Sequence, residues 1–413
     1  MDVNQRPNDG PKLPLAGVRV LDFGIFIAAP YAASMLGDMG ADVIKIESPG
    51  GDPHRKLDNE VAPGHSAFYF GINRSKRGLV LDLLQPDSRP ILRALVATSD
   101  VVLVSYRPKA LDKLGLSYEE LITSRPDLVY GCLTAYGESG PRADEPGMDL
   151  LAQAISGIMS VTGEPGRAPV RTGPPIGDFV ASFLMVSGIL AALRVRDRDG
   201  VGQRVSVNLH DGGLSILANF ITPYLKTKVP VHPVGSAHPN VVPMQAFRTS
   251  DGYVAVCCPT EAFWRNLCVG IGAEQLLDDE RFSTNADRVR HRDDLVPQLE
   301  ALFATTTSAN WIARLSSGGV PVAPVNSLGQ AIADPQTMHN ASIVELTHPT
   351  YGAYSVVQNP IRLSGTPIKA HGYATEPGEH TTEILEELGL PDEAIADLVE
   401  RGIVRTCSLG AER

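Results

Sequence analysis

The chain has 413 residues, of which 43% are hydrophobic and 20% charged, and this is enough for two domains with buried cores. Its formal net charge of -11 argues against a general nucleic-acid-binding protein, because phosphate backbones require a basic surface. No apolar run reaches the ~20 residues that span a bilayer, and the polar N-terminus has no signal-peptide hydrophobic region. We therefore expect a cytoplasmic protein that binds neither membranes nor nucleic acids.

The cysteines and histidines predict no disulfide frame and no metal site. Five cysteines occur without CxxC spacing, and none of the ten histidines falls in an HExxH pattern. The cysteines are typical of reduced thiols, and a metal enzyme is not expected.

The first third of the chain alternates between strand and helix patterns. GVRVLDF (17–23) and ADVIKIE (41–47) predict buried strands, and AAPYAASMLGDMG between them predicts a helix. A strand, a helix and a strand in this order form a βαβ unit with parallel strands. A helix near 86–98 and strands at 100–106 and 128–136 continue the alternation. The pattern predicts a doubly wound α/β domain.

The later part of the chain contains further helices and a second, smaller α/β pattern. Helices are predicted at 149–160 and after Asp178, with a strand at 202–209 and another helix after it. The segment 221–245 is rich in Pro and His and lacks apolar periodicity, which predicts a linker. The small domain is predicted to run from GYVAVCC (252–258) to GGVPVAPVNSL (318–328), and short strands near 342–363 and the helix GEHTTEILEELGL follow it.

Three common fingerprints are missing. The turn after the first strand reads GIFIAAP instead of GxGxxG, which weakens a nicotinamide oxidoreductase interpretation. Neither GxxxxGK[ST] nor GxSxG occurs, so a P-loop and the usual α/β-hydrolase nucleophile are not indicated.

One carboxylate in PPIGDF, Asp178, lies where a turn meets a long apolar run. By sequence alone its commonest role is an N-cap that accepts a hydrogen bond from a free backbone N–H. The alternative is a reactive group, since helix-terminal N–H groups can keep a carboxylate ionised. Both interpretations stay open at this point.

Two basic loops suggest an anionic ligand. INRSKRG (72–78) contains Arg74, Lys76 and Arg77, and SYRPKALDKLG (105–115) contains Arg107, Lys109 and Lys113. Each loop alone is most simply a solvated turn. Because ligands of open α/β sheets bind beyond the carboxyl ends of strands, two such loops in an acidic protein favour a phosphate-bearing cofactor. The lone histidines, His210 and His238, are more often structural.

The chain resembles the family III CoA-transferases, which include formyl-CoA transferase and carnitine CoA-transferase. The resemblance runs in order from about residue 14 to the tail. It rests on LAGVRVLDF, LGDMGADVIKIESPGGD, FYFGINRSKRGLVLDL, YRPKALDKLGLSYEEL, PGMDLLAQAISGIMSVTGEPG, PPIGDF and PGEHTTEILEELGL.

The resemblance implies a fold and an assembly. We expect a large Rossmann-like CoA-binding domain formed by both chain ends, at 1–220 and 331–413, with a linker and a small α/β domain at 221–330. Two such subunits would form an interlocked homodimer.

The resemblance also implies a site and a reaction. The catalytic residue matches Asp178, no cofactor is tightly bound, and the substrates are a coenzyme A thioester and a small carboxylic acid. Asp178 would attack the thioester, forming a mixed anhydride and then an aspartyl-CoA thioester. The residues expected to bind CoA are Ile27, Ala28, Asn73, Arg74, Lys76, Arg77, Ser105, Tyr106, Arg107 and Lys113.

Two departures from related patterns affect the choice of reaction. The α-methylacyl-CoA racemases of this superfamily have a His at the position of Met148, and a thioether is no proton acceptor at neutral pH. This favours a transferase, with a racemase or isomerase and a non-catalytic CoA-binding protein as alternatives. Formyl-CoA transferase has a Gln at the position of Ile27. The apolar Ile27 and Met148 together suggest a larger or less polar acid here.

Overall fold

The structure is a computed structural model that describes residues 13–57, 60–62 and 65–407. The described residues form two compact units. The large unit contains the described residues within Met1–Ile158, Arg171–Lys226 and Gln336–Arg413. The small unit contains those within Met159–Val170 and Thr227–Pro335.

The strands are numbered in chain order. They are β1 (Arg19–Phe23), β2 (Asp42–Glu47), β3 (Glu60–Ala62), β4 (His65–Ser66), β5 (Arg77–Leu81), β6 (Val101–Val104), β7 (Val129–Thr134), β8 (Arg204–Asn208), β9 (Met244–Arg248), β10 (Tyr253–Cys257), β11 (Val322–Pro324), β12 (Ile343–His348), β13 (Gly352–Val357) and β14 (Val404–Arg405).

The α-helices are numbered in the same way, and short 3₁₀ helices lie at Pro53–Lys56, Glu274–Leu277 and Glu280–Phe282. The α-helices are α1 (Ala28–Asp38), α2 (Ala67–Ile72), α3 (Ser88–Ala97), α4 (Pro108–Leu114), α5 (Tyr118–Leu121), α6 (Asp149–Ser156), α7 (Ile158–Val161), α8 (Ile176–Asp199), α9 (Leu209–Ile216), α10 (Ala218–Thr227), α11 (Glu261–Ile271), α12 (Asn285–Arg290), α13 (Arg292–Phe303), α14 (Ser308–Ser317), α15 (Leu328–Ile332), α16 (Pro335–His339), α17 (Thr381–Glu387) and α18 (Asp392–Glu400).

A seven-stranded sheet forms the centre of the large unit, in the order β14-β5-β2-β1-β6-β7-β8. Every neighbouring pair is parallel except β14 with β5. The chain runs outward from β1 in one direction and from β6 in the other, so the strand order reverses between these two strands. This confirms the predicted doubly wound α/β fold, whose ligand crevice lies at such a reversal.

Alternating side chains of the sheet build a core on each face. On one face, Val20 and Leu103 pack with α1 and α8. On the other face, Leu21 and Val102 pack with α3 and the C-terminal α17 and α18. Since both faces are covered, the central strand β6, VVLV, is apolar throughout.

The small unit has its own sheet and core. Its three antiparallel strands lie in the order β11-β10-β9. Buried Trp264, Phe303 and Trp311 of α11, α13 and α14 pack with these strands.

Three local predictions differ from the structure. The helix expected over 149–160 ends at Ser156, because Gly157 adopts a φ of 93°, a conformation that glycine tolerates best. Within the expected linker 221–245, α10 continues to Thr227 and β9 begins at Met244. Arg77, which the sequence places in the basic loop 72–78, is the first residue of β5.

Candidate active site

Asp178 lies inside the first turn of α8. The helix begins at Ile176, and its N-cap is Pro175, which has no side-chain acceptor. The interpretation of Asp178 as the N-cap is therefore wrong, because the helix begins two residues earlier. Its position in the first turn still favours an anion, since the free backbone N–H groups and the helix dipole are positive there.

Asp149 supplies the acceptor that Pro175 lacks. This buried residue begins α6, and its Oδ1 accepts a hydrogen bond of 2.8 Å from the backbone N–H of Gly177. The carboxylate of one helix thus caps the N-terminus of another. The interaction also places the negative charge of Asp149 close to Asp178.

The surroundings of Asp178 change its acidity. Burial raises the pKa of Asp178 to about 7, and the nearby charge of Asp149 adds to the effect. Both protonation states are therefore accessible near neutral pH. A carboxylate with a raised pKa is also a stronger base and nucleophile than an ordinary one.

The first turn of α8 is joined to the start of α1. The Ser182 hydroxyl donates to the carbonyl oxygens of Ala28 at 2.7 Å and Asp178 at 2.8 Å. The rings of Tyr31 and Phe179 meet edge to face, with centroids 5.1 Å apart. The backbone of Ala28, one of the predicted site residues, is thereby linked through Ser182 to the backbone of Asp178.

The turn between β1 and α1 is held in an uncommon conformation. Phe26 has a φ of 62°, which costs of order 1 kcal/mol for a non-glycine residue. Its N–H donates to Asp52 at 3.3 Å, and its carbonyl oxygen lies 3.0 Å from Nδ1 of His54. The N–H of Ile25 donates to the Ser105 hydroxyl at 2.9 Å, which joins the ends of β1 and β6 at the strand-order reversal.

The first basic loop is used inside the fold. Arg74 and Lys76 are buried, and they form ion pairs of 2.7 Å with Asp38 and 2.8 Å with Asp22. Lys76 also donates to Asn73 Oδ1 at 2.7 Å. Burial lowers the pKa of Lys76 to about 8. These three predicted CoA-binding side chains already have internal partners.

Arg77, the last predicted member of that loop, is also paired within the fold. Its guanidinium bonds to Asp42 at 2.8 Å, to Glu383 at 2.8 Å and to Glu387 at 2.7 Å. These contacts connect β5 with β2 and with the C-terminal α17. Burial alone would lower the pKa of Arg77, but the carboxylates raise it above its usual value.

The second basic loop is open to solvent. Arg107 is exposed, and its Nη1 donates to the Asp144 carbonyl oxygen at 3.1 Å. Lys113 is exposed in α4. Tyr106 is half-buried, and burial raises its pKa. Arg107 and Lys113 thus lie in the segment after β6 with their side chains exposed to solvent.

Asp149 and Gln153 belong to the site although sequence reasoning missed them. Gln153 donates to Asp149 Oδ2 at 2.6 Å. The spacing of an acid and an amide four residues apart on one helix face was visible in DLLAQ. No local pattern in the chain indicated that this pair would contact the turn before Asp178.

The model of a known family matches most of the chain. It is described as CoA-transferase family III, and it matches residues 15–381. The chain belongs to CoA-transferase family III. This confirms the family expected from the sequence motifs.

Curated relatives of this family III enzyme are CoA-transferases. The human succinyl-CoA:glutarate CoA-transferase is 33% identical over 393 residues, covering 95% of this chain and 90% of the relative. The succinate–glutarate CoA-transferase of Agrobacterium fabrum is 36% identical over 389 residues, covering 92% and 97%. The chain is accordingly an acyl-CoA:carboxylate CoA-transferase.

Solved structures agree with the fold. A CaiB/BaiF family protein from Brucella suis is 34% identical, with a TM-score of 0.81 over 91% of this chain and 100% of its own.

Among the described residues, one helix, α8, has the length and hydropathy of a membrane span. It packs on α1, β7 and β8, as the core helix of an α/β domain does.

Proposed function

We propose that Asp178 is the nucleophile that moves CoA between two carboxylic acids. The observation that supports this most is the setting of its carboxylate, in the first turn of α8 with a pKa raised to about 7. A partly desolvated carboxylate beside free helix N–H groups is suited to attack a thioester.

The proposed reaction begins with an anhydride. An oxygen of Asp178 attacks the thioester carbon, the carbon–sulfur bond breaks, and CoA leaves as a thiolate. The thiolate then attacks the Asp178 side-chain carbonyl, which releases the donor acid and forms an aspartyl-CoA thioester. The acceptor carboxylate attacks the same carbonyl and again releases the thiolate. Attack of this thiolate on the acceptor's acyl carbon restores Asp178.

The surroundings must stabilise the oxyanions and exclude water. Backbone N–H groups at the start of α8 are suitable donors to the developing negative charge. Water must be kept from the anhydride and the aspartyl thioester, because hydrolysis would waste the thioester. The apolar rings of Tyr31 and Phe179 beside the turn support this part of the proposal.

The proposal includes the crevice between β1 and β6 as the CoA site. Ile27, Ala28 and Ser105 border it, while the exposed Arg107 and Lys113 are suitable partners for the phosphates. Side-chain contacts of Arg74, Lys76 or Arg77 with CoA would require their internal ion pairs to open. For these three residues we therefore favour a supporting role.

We propose short dicarboxylic acids as the acids exchanged. The support is the names of two relatives, succinyl-CoA:glutarate and succinate–glutarate CoA-transferase, at 33% and 36% identity over nearly whole chains. The apolar Ile27 agrees with an acid longer than formate or oxalate.

The proposal further includes a cytoplasmic homodimer. Large apolar side chains are exposed on α6, α8 and α10, among them Leu151, Phe183 and Leu225, and such surfaces are typical of subunit interfaces. All five cysteines are free, which suits a reducing compartment.

A racemase is the second candidate, and Met148 argues against it. This residue is 52% exposed and precedes α6, and its thioether cannot serve as the second base. Exchange of the α-hydrogen in deuterated water, without exchange of acids, would favour the racemase.

Mass spectrometry of CoA esters tests the function. The enzyme is incubated with succinyl-CoA and a panel of free mono- and dicarboxylic acids. We expect new CoA esters with dicarboxylates, and their loss with Asp178→Ala. Asp199→Asn at the exposed far end of α8 is the matched control and should retain full activity. Transfer that survives Asp178→Ala unchanged would contradict the mechanism.

A further inference from the structure

A buried glutamine contacts the segment that precedes Asp178. Gln153 lies on α6, four residues after Asp149, and is 0% exposed. Its Oε1 accepts the backbone N–H of Thr172 at 2.9 Å, and its Nε2 donates to Asp149 Oδ2 at 2.6 Å. Because a backbone N–H only donates, it requires Oε1 on that side, which leaves Nε2 for Asp149.

Asp149, which Gln153 contacts, is itself hydrogen-bonded to the C-terminal end of the segment that precedes Asp178. Its Oδ1 accepts the N–H of Gly177 at 2.8 Å. The segment 172–177 is thus hydrogen-bonded to α6 at both ends. Within the segment, the Thr172 hydroxyl donates to the Pro174 carbonyl oxygen at 2.8 Å. The backbone that leads into Asp178 is therefore fixed by one continuous set of bonds.

We infer that Gln153 is a positioning residue, which holds the 172–177 segment and Asp149 so that Asp178 is aligned with the thioester carbon. This inference rests on the proposed nucleophilic role of Asp178. Gln153 acts through Asp149 and the backbone and needs no contact with substrate. Misalignment of a nucleophile by about 1 Å can reduce a rate about 100-fold, so a fixed approach matters for the chemical step.

The alternative role for a buried glutamine is packing alone. An amide buried for packing would be replaceable by a leucine of similar volume, which avoids the desolvation of a polar group. A positioning role instead requires the donor to Asp149 and the acceptor for Thr172. The two roles differ in what Gln153→Leu and Gln153→Glu do to the reaction.

The first experiment compares Gln153→Leu with Gln298→Leu in the full-length enzyme. Gln298 is an exposed residue of α13, so the same substitution there is the matched control. We expect Gln153→Leu to reduce kcat 10- to 100-fold while the Kd for acyl-CoA stays within threefold. Gln298→Leu should change kcat less than threefold. Equal kcat values for folded Gln153→Leu and wild type would overturn the inference.

The second experiment uses pH as the readout. The ionised side chain of Gln153→Glu still accepts from Thr172 but has no donor for Asp149, whereas its protonated form has both. The ratio of kcat for Gln153→Glu to kcat for wild type should therefore rise severalfold as the pH falls from about 8.5 to 5.5. The other titratable groups at this site are Asp149 and Asp178, with His210 and Asp211 on the neighbouring α9, and both enzymes contain them. A ratio that stays constant with pH would overturn the inference.

Failure of this inference can be distinguished from failure of the proposed function. Both experiments are ratios to an active wild type, and a wild type that transfers no CoA refutes the function itself. If Gln153→Leu does not unfold cooperatively on heating, Gln153→Glu decides by its pH ratio. If neither variant folds, Gln153 serves folding and the positioning role is rejected.

Discussion

Asp149 and Asp178 lie in the first turns of two helices, α6 and α8, and the charge of Asp149 helps raise the pKa of Asp178 to about 7. Each of these two helices thus has a carboxylate in its first turn, where backbone N–H groups lack partners within the helix. One of them, Asp149, is engaged by Gly177 and Gln153. The other is available for chemistry. Paired acids whose environments differ commonly have different roles in catalysis.

The pH dependence of transfer should reflect this pair. Protonated Asp178 is no nucleophile, so kcat/KM should fall as the pH decreases through about 7. Asp149→Asn removes a negative charge, which should move the midpoint down by roughly one pH unit. Initial rates from pH 5 to 9 measure the midpoint. A midpoint that does not move in Asp149→Asn would show that the charge of Asp149 is unimportant.

The stability of the protein should also depend on Asp178. Its pKa is 3.8 when unperturbed and about 7 in the folded protein, so the folded state binds more protons between about pH 4 and 7. The free energy of unfolding therefore falls as the pH rises through this window. Asp178→Asn removes this loss and should be more stable than wild type at pH 7.5, by roughly 1 to 3 kcal/mol after allowance for solvent screening.

Urea unfolding at pH 4, 5.5 and 7.5 measures this effect. The difference between Asp178→Asn and wild type should be close to zero at pH 4 and should grow with pH. Asp199→Asn, at the solvent-exposed end of α8, is the control. A difference that is the same at every pH would mean that the pKa of Asp178 is not raised.

Gly177→Ala tests the contact between α6 and α8. A Cβ at Gly177 would lie 3.0 Å from Asp149 Oδ1, so the carboxylate must shift away from the Gly177 N–H. We expect kcat to fall roughly 10-fold, although alanine is the better helix former. Gly173→Ala is the matched control, since a Cβ there meets nothing within 4 Å. Equal activity of the two variants would contradict the role of this contact.

Lys76 and Lys113 should differ in what their substitution affects. Lys76→Met leaves Asp22 buried without its 2.8 Å ion pair, which should lower the free energy of unfolding by about 3 to 5 kcal/mol. Lys113→Met, at an exposed position, should change stability by less than about 0.5 kcal/mol. It should instead weaken CoA binding, with a smaller effect at high salt.

Thermal unfolding and calorimetric titration with CoA separate these two effects. Stability unchanged by Lys76→Met would mean that its ion pair with Asp22 does not support the fold. CoA affinity unchanged by Lys113→Met at low salt would remove Lys113 from the proposed phosphate site.

Much of the fold was predictable from local patterns. Apolar, β-branched runs such as VVLV predicted buried parallel strands, and the alternation with helices predicted a doubly wound sheet. The motifs also predicted the family and directed attention to Asp178. These inferences succeeded because hydrophobic periodicity and short motifs are local properties of the chain.

The partners of charged side chains were decided only by the tertiary structure. INRSKRG reads as an exposed basic loop, yet folding places Arg74 beside Asp38 and Lys76 beside Asp22, 36 and 54 residues away. Similarly, Asp149 meets Gly177 across 28 residues, and this contact helps define the environment of Asp178. A sequence shows which charges exist, but burial and the approach of distant segments determine which are neutralised and which remain reactive.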